Sequence, residues 1–121
     1  MNSVVHFEIP ATDLQRAQDF YGAVFGWKMM PFDAEQAMTS TTDTDDKGMP
    51  TTPGAINGSF YKAEGRGPSI VVDVPNIDSH MEVIEQHGGR LVDLPTTIPN
   101  MGVYARFEDP EGNLIGLWQS L

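Results

Sequence analysis

The chain has 121 residues, 40% of them hydrophobic, and a formal charge of −10. That length fits one domain with a real core. Seven scattered Lys and Arg residues do not form the basic cluster that nucleic acid or an anionic membrane surface requires. There is no Cys, which excludes disulfides, thiolate chemistry and Cys-based metal sites and agrees with a reducing compartment. Met1-Asn2-Ser3 leads straight into a strand pattern without a basic and then apolar leader, so a cytoplasmic location is expected. No apolar run approaches the roughly 20 residues that span a bilayer, so no membrane partner is expected either.

Val5, Phe7 and Ile9 alternate with His6 and Glu8, which predicts a half-buried strand closed by Pro10. Thr12 or Asp13 offers a side-chain oxygen to cap the following helix. Leu14, Ala17, Phe20, Tyr21, Val24 and Phe25 recur at helical spacing and predict a core-facing stripe. Gly26 stops that helix. Residues 27–32 and 36–41 read as strands. Residues 42–53, rich in Thr, Asp, Gly and Pro, read as an exposed loop. Residues 55–62 read as a further strand. Asn57-Gly58 is a hairpin dipeptide, but a turn there leaves about three strand residues on each side, fewer than the usual five or six. The dipeptide is therefore read inside the strand. Residues 63–68 form a linker.

The pattern then repeats. Ile70, Val72 and Val74 alternate as a strand, and Ser79 and Glu82 have capping-box spacing. Gly88-Gly89 end the second helix, and strands follow near 90–94, 102–108 and 113–119. The turn Asp109-Pro110-Glu111-Gly112-Asn113 precedes the last one. The order is β-α-β-β-β twice, with module one at about 4–62 and module two at about 69–119 of a single domain. Alternation assigns Phe7, Ile9, Ile70, Val72, Val74, Val103, Ala105, Phe107, Ile115 and Leu117 to the helix side. It assigns His6, Glu8, Asn57, Ser59, Tyr61, Ser69, Asp73, Tyr104, Arg106, Leu114 and Trp118 to the opposite face. That second set is polar and aromatic, as a small-molecule site requires.

Two stretches carry a resemblance. One is His6 through Trp27, above all His6, Asp13-Leu14-Gln15-Arg16 and Phe20-Tyr21. The other is Asp109 to Asn113 followed by Leu114 to Gln119. With these the chain resembles the vicinal oxygen chelate superfamily of glyoxalases, bleomycin-resistance proteins and extradiol dioxygenases, in particular its small bacterial glyoxalase-related members. The resemblance covers essentially the whole chain. It implies an α+β fold of paired βαβββ modules forming a cupped, barrel-like mixed sheet with helices outside. It also implies metal-ligand positions at His6, near Asn57, at Ser69 and at Gly116. Of these only His6 is a strong ligand, so the expected metal is weak or absent, and ordinary lactoylglutathione lyase activity is not expected. The resemblance further implies a homodimer.

His6 and Glu8 point to the same side of one strand, about 7 Å apart along it. A carboxylate can fix the tautomer of an imidazole, so the two form a candidate catalytic acid/base pair. Their alternative is structural hydrogen bonding. Arg106 is a candidate grip for a substrate anion, against an ion pair with Glu8 or Glu108. Tyr104 and Trp118 can stack on a flat ligand or simply pack, and Asn57 and Ser69 complete the candidate substrate-binding set. His80 and His87 read as surface groups of the second helix. Asp43 to Gly48 hints at a calcium loop, but Lys47 falls on a ligand position. Two functions stay open: an enzyme acting on a small polar or aromatic molecule, and a metal-independent drug-sequestering binding protein.

Overall fold

The computed structural model describes residues 1–121. The chain divides into two compact units, His6–Pro68 and Ser69–Leu121, the latter together with Met1–Val5. The elements follow in the order β1 (Val4–Ala11), α1 (Leu14–Phe25), β2 (Lys28–Pro31), β3 (Gln36–Ser40), β4 (Asn57–Lys62), β5 (Ser69–Asp73), α2 (Ile77–Gln86), β6 (Arg90–Ile98), β7 (Gly102–Glu108) and β8 (Leu114–Ser120). This is the α+β class with mixed pairing. Neither helix is long and apolar enough to cross a membrane.

In the first unit the strands lie in the order β2-β3-β4-β1. β1 runs parallel to β4, and β2, β3 and β4 pair antiparallel. The row is open at β2 and does not close into a barrel. Asp13 caps α1, its side chain accepting from Arg16 N at 3.0 Å. Gly26 ends the helix in the left-handed conformation, at φ 72°, with its N–H on Gly22 O. Asn57-Gly58 sits inside β4, and the reason is packing. Gly58 pairs with Phe7 across the β1–β4 register, and a Cβ at Gly58 would overlap the Phe7 ring. That ring meets Trp27, which stacks on Tyr21 at 5.0 Å, and Tyr21 meets Phe60 at 5.3 Å. Phe60 is fully buried.

The α1 stripe is only partly a core face. No α1 residue is fully buried, and Phe20, Val24 and Phe25 are 55%, 56% and 60% exposed. At 100° per residue the six predicted positions spread over roughly 140° of the helix circumference. Leu14, Ala17 and Tyr21 lie in the middle of that arc and are half-buried, and Phe20, Val24 and Phe25 lie toward its two edges.

In the second unit the order is β5-β8-β7-β6, open at β6. β5 is parallel to β8, and the other pairs are antiparallel. α2 covers one face, and the core is Val74, Ile77, Met81, Ala105 and Leu117, flanked by Val72, Val103 and Phe107. Ile70, assigned to the helix side, is instead 41% exposed at the start of β5. The capping box at Ser79 and Glu82 does not form. Asn76 is the N-cap, its Oδ1 accepting from Ser79 N at 2.8 Å, which places Ser79 within the first turn.

β6 runs four residues beyond its expected end. Pro95 lies within it, and β6 is the outer strand of its unit, where a missing N–H costs no ladder bond. Register irregularities on both sides of Asp93 absorb the disturbance. The closing turn is held by Asp109, whose Oδ1 accepts from Glu111 N and Asn113 N, both at 2.9 Å. Gly112 supplies the positive φ, 83°.

The seating of Phe7 over Gly58 gives a stability test. Gly58→Ala is expected to lower the unfolding free energy by about 1–3 kcal/mol, the usual cost of overpacking. Urea denaturation checks this, and an unchanged midpoint would mean the ring does not occupy that space.

Candidate functional site

In the first unit the alternation of β1 and β4 places the polar residues opposite the aromatic core. His6 pairs in register with Asn57, and Glu8 with Ser59. His6 Nε2 and Ser59 Oγ are hydrogen-bonded at 3.1 Å. Glu8 is 6% exposed, and Ser59 and Tyr61 are buried too. The structure therefore brings the candidate pair onto one face. It adds Ser59, which alternation placed on that face without a role. Asn57 is committed elsewhere: its Oδ1 accepts from Thr41 N at 2.9 Å, fixing the chain as it leaves β3. The calcium-like loop is committed in the same way, with Asp45 Oδ1 accepting from Lys47 N and Met49 N at 2.9 Å.

In the second unit the polar face is organised around Arg106. Its Nε donates to the Tyr104 hydroxyl at 2.6 Å, and its guanidinium carbon lies 5.4 Å from the Tyr104 ring centroid. Its Nη1 is 3.6 Å from Asp93 Oδ2. The Arg106 side chain is only 16% exposed, against 53% for Asp93. Glu108, expected as one possible partner, instead pairs with Arg90 at 3.1 Å. Strand alternation does not reveal Asp93 as a partner, because it lies where the β6–β7 register shifts and an unbroken ladder would not align it with Arg106. Trp118 pairs with Tyr104 and Asp73 in register. A Cβ at Gly102 would sit 2.7 Å from the Trp118 ring, so one face of that indole is used in packing. Ser69 Oγ is buried without a hydrogen-bond partner. His80 is half-buried with Nδ1 3.1 Å from Asn76 O, and His87 is exposed as the C-cap of α2.

The positions that the resemblance assigns to metal ligands can be tested by donor chemistry. His6 offers an imidazole already bonded to Ser59, Asn57 an amide oxygen already bonded to Thr41, and Ser69 a neutral hydroxyl. Gly116 offers nothing, and its missing side chain is not an empty space. A Cβ there would lie 2.9 Å from Val71 Cγ2 and 3.1 Å from the Tyr104 hydroxyl. A divalent cation takes three or four His or carboxylate ligands, and this donor set does not fit one. No group of three or more His, Asp or Glu side chains converges within either unit.

Comparison with known proteins agrees with this architecture. Residues 3–117 match the sequence profile of the Glyoxalase/Bleomycin resistance protein/Dioxygenase superfamily. A glyoxylase-like domain-containing protein of Didymella fabae is 33% identical over 114 residues, covering 88% of this chain and 84% of that protein. Methylmalonyl-CoA epimerase from Mycobacterium tuberculosis superposes with a TM-score of 0.69 over 98% of this chain and 87% of its own, at 17% identity. The Mn(II)-bound glyoxalase from Novosphingobium aromaticivorans gives 0.66 at 19% identity, over 98% of this chain but 40% of its own. The likeness to these two structures concerns the fold.

Burial holds the His6 imidazole below the ordinary value of 6.5, and the charge of Glu8 offsets part of that shift. The neutral ring is thus the native form, and the unfolded chain takes up this proton first as pH falls. The His6 contribution is level above about pH 6.5 and turns against the native state as pH drops through the window down to the lower folded value. The denaturation midpoint is expected to fall from about pH 7.5 to 5 in the native protein. The fall should be flatter in His6→Gln, and parallel curves would show that His6 titrates alike folded and unfolded.

Proposed function

Starting from a chain that belongs to the Glyoxalase/Bleomycin resistance protein/Dioxygenase superfamily, we propose that it binds a small anionic molecule, polar or aromatic, through Arg106 and without a tightly held metal. The observation that carries this reading is a guanidinium only 16% exposed on a sheet face that it shares with Tyr104, Trp118, Gly116, Leu114 and Glu108. A guanidinium keeps its charge when partly buried and meets a carboxylate through two parallel hydrogen bonds. The rest of the chain carries a strong negative excess, which repels anions at long range and makes a local cation the determinant of binding.

His6 supplies the second element of this reading. Burial favours its neutral form, which is the form that accepts a proton, and Glu8 on the same face stabilises the cation that follows. The enzymatic and purely binding versions of the proposal share Arg106 and differ at His6, since only the first uses its basic nitrogen. One structural neighbour is a methylmalonyl-CoA epimerase in complex with methylmalonyl-CoA. That fold likeness adds carboxylate-bearing acyl thioesters to the compounds worth screening, as an analogy of fold.

The test is a thermal-shift screen of carboxylates against their uncharged amides, on native protein and Arg106→Met. Losing a charge-assisted hydrogen bond costs about 1.5–3 kcal/mol, roughly 10- to 150-fold in affinity. Arg106→Met is expected to lose the carboxylate hits by that factor and to keep the amide responses. Equal responses from both proteins would make Arg106 a purely structural residue.

A further inference from the structure

Gly116 is a glycine that its own backbone does not require. It is absent from the residues with positive φ, so an L side chain meets no conformational barrier there. Space is the reason for glycine. A Cβ at this position would lie 2.9 Å from Val71 Cγ2, 3.1 Å from the Tyr104 hydroxyl and 3.2 Å from Tyr104 Cε2. Val71 is 2% exposed and cannot move aside freely, so an added side chain acts on the phenol.

The phenol in turn acts on Arg106. Tyr104 and Arg106 are two apart on β7 and share a face. Arg106 lies opposite Gly116 and Tyr104 opposite Trp118. The ring leans over the glycine, and its oxygen accepts the Arg106 Nε proton at 2.6 Å. An arginine side chain is long and rotamer-rich, and bidentate recognition of a carboxylate needs its plane fixed beforehand. Asp93, at 3.6 Å and 53% exposed, is a looser contact than the 2.6 Å bond to the phenol.

We propose that Tyr104 is the positioning residue for Arg106 and that Gly116 determines specificity by giving the phenol its seat, so that the three together set the preference for carboxylate over uncharged ligands. This rests on the reading of Arg106 as the anion-binding group.

The experiment uses the ¹H–¹⁵N spectrum of the arginine Nε–H groups together with affinities for benzoate and benzamide. Arg16, Arg66 and Arg90 are exposed, so a slowly exchanging Nε–H signal belongs to Arg106 and vanishes in Arg106→Met. Tyr104→Phe keeps the ring, and Gly116→Ala adds only the Cβ. Each is expected to retain the native backbone spectrum, to lose the protected Nε–H signal and to lower the benzoate-to-benzamide preference about 10-fold, the size of one charge-assisted hydrogen bond. If Tyr104→Phe keeps both the signal and the preference while Arg106→Met loses the preference, the positioning role is wrong and anion binding by Arg106 stands. If Arg106→Met keeps the preference, or the native protein shows none, the anion-binding reading fails and this inference with it. Should Gly116→Ala not fold, Tyr104→Phe alone decides the positioning role.

Discussion

In both units an aromatic ring occupies the space that a Cβ on the neighbouring strand would take, and glycine on that strand is what admits it. In the first, Phe7 occupies the space over Gly58 and passes its contact to Trp27, Tyr21 and Phe60. In the second, Tyr104 leans over Gly116, and Trp118 packs against Gly102. The face differs between the units. Phe7 lies on the helix side and completes a core. Tyr104 lies on the polar face and orders a cation. The same packing rule thus supplies stability in one half and a candidate binding group in the other.

That difference bears on the chemistry available. The resemblance implies a metal-ligand position at Gly116, which has no donor. Here the place is filled by a phenol whose oxygen takes the Nε proton of Arg106. In the proposed reading a fixed guanidinium provides the positive charge. A guanidinium attracts and orients an anion, but it offers no open coordination position and does not acidify a bound water as a metal ion does. His6 belongs to the other unit, where burial keeps its imidazole in the neutral form.

Much of the fold was legible because strand alternation is a strict period of two. Once Phe7 and Ile9 are taken as inward, His6 and Glu8 have only one face left, and the same holds for Tyr104 and Arg106 between Val103, Ala105 and Phe107. The helix stripe was less legible. Spacing marks an apolar arc but does not say how much of it the sheet covers, and Phe20, Val24 and Phe25 fall outside. The length of β6 was hidden by Pro95, whose effect depends on whether the strand is an outer one. Partners at the candidate site were hidden for a different reason. Asp93 reaches Arg106 across a register shift, and the role of Gly116 depends on a tyrosine twelve residues away in sequence. Residue type can show that a ligand is missing from a position. It cannot show what fills the space.

The most direct test of this account is elemental analysis of protein purified without added metal. A phenol seated over Gly116, with an amide and a hydroxyl at two more of the ligand positions that the resemblance implies, predicts far less than about one divalent ion per chain, unchanged in His6→Ala. Close to one ion per chain, lost in His6→Ala, would contradict it.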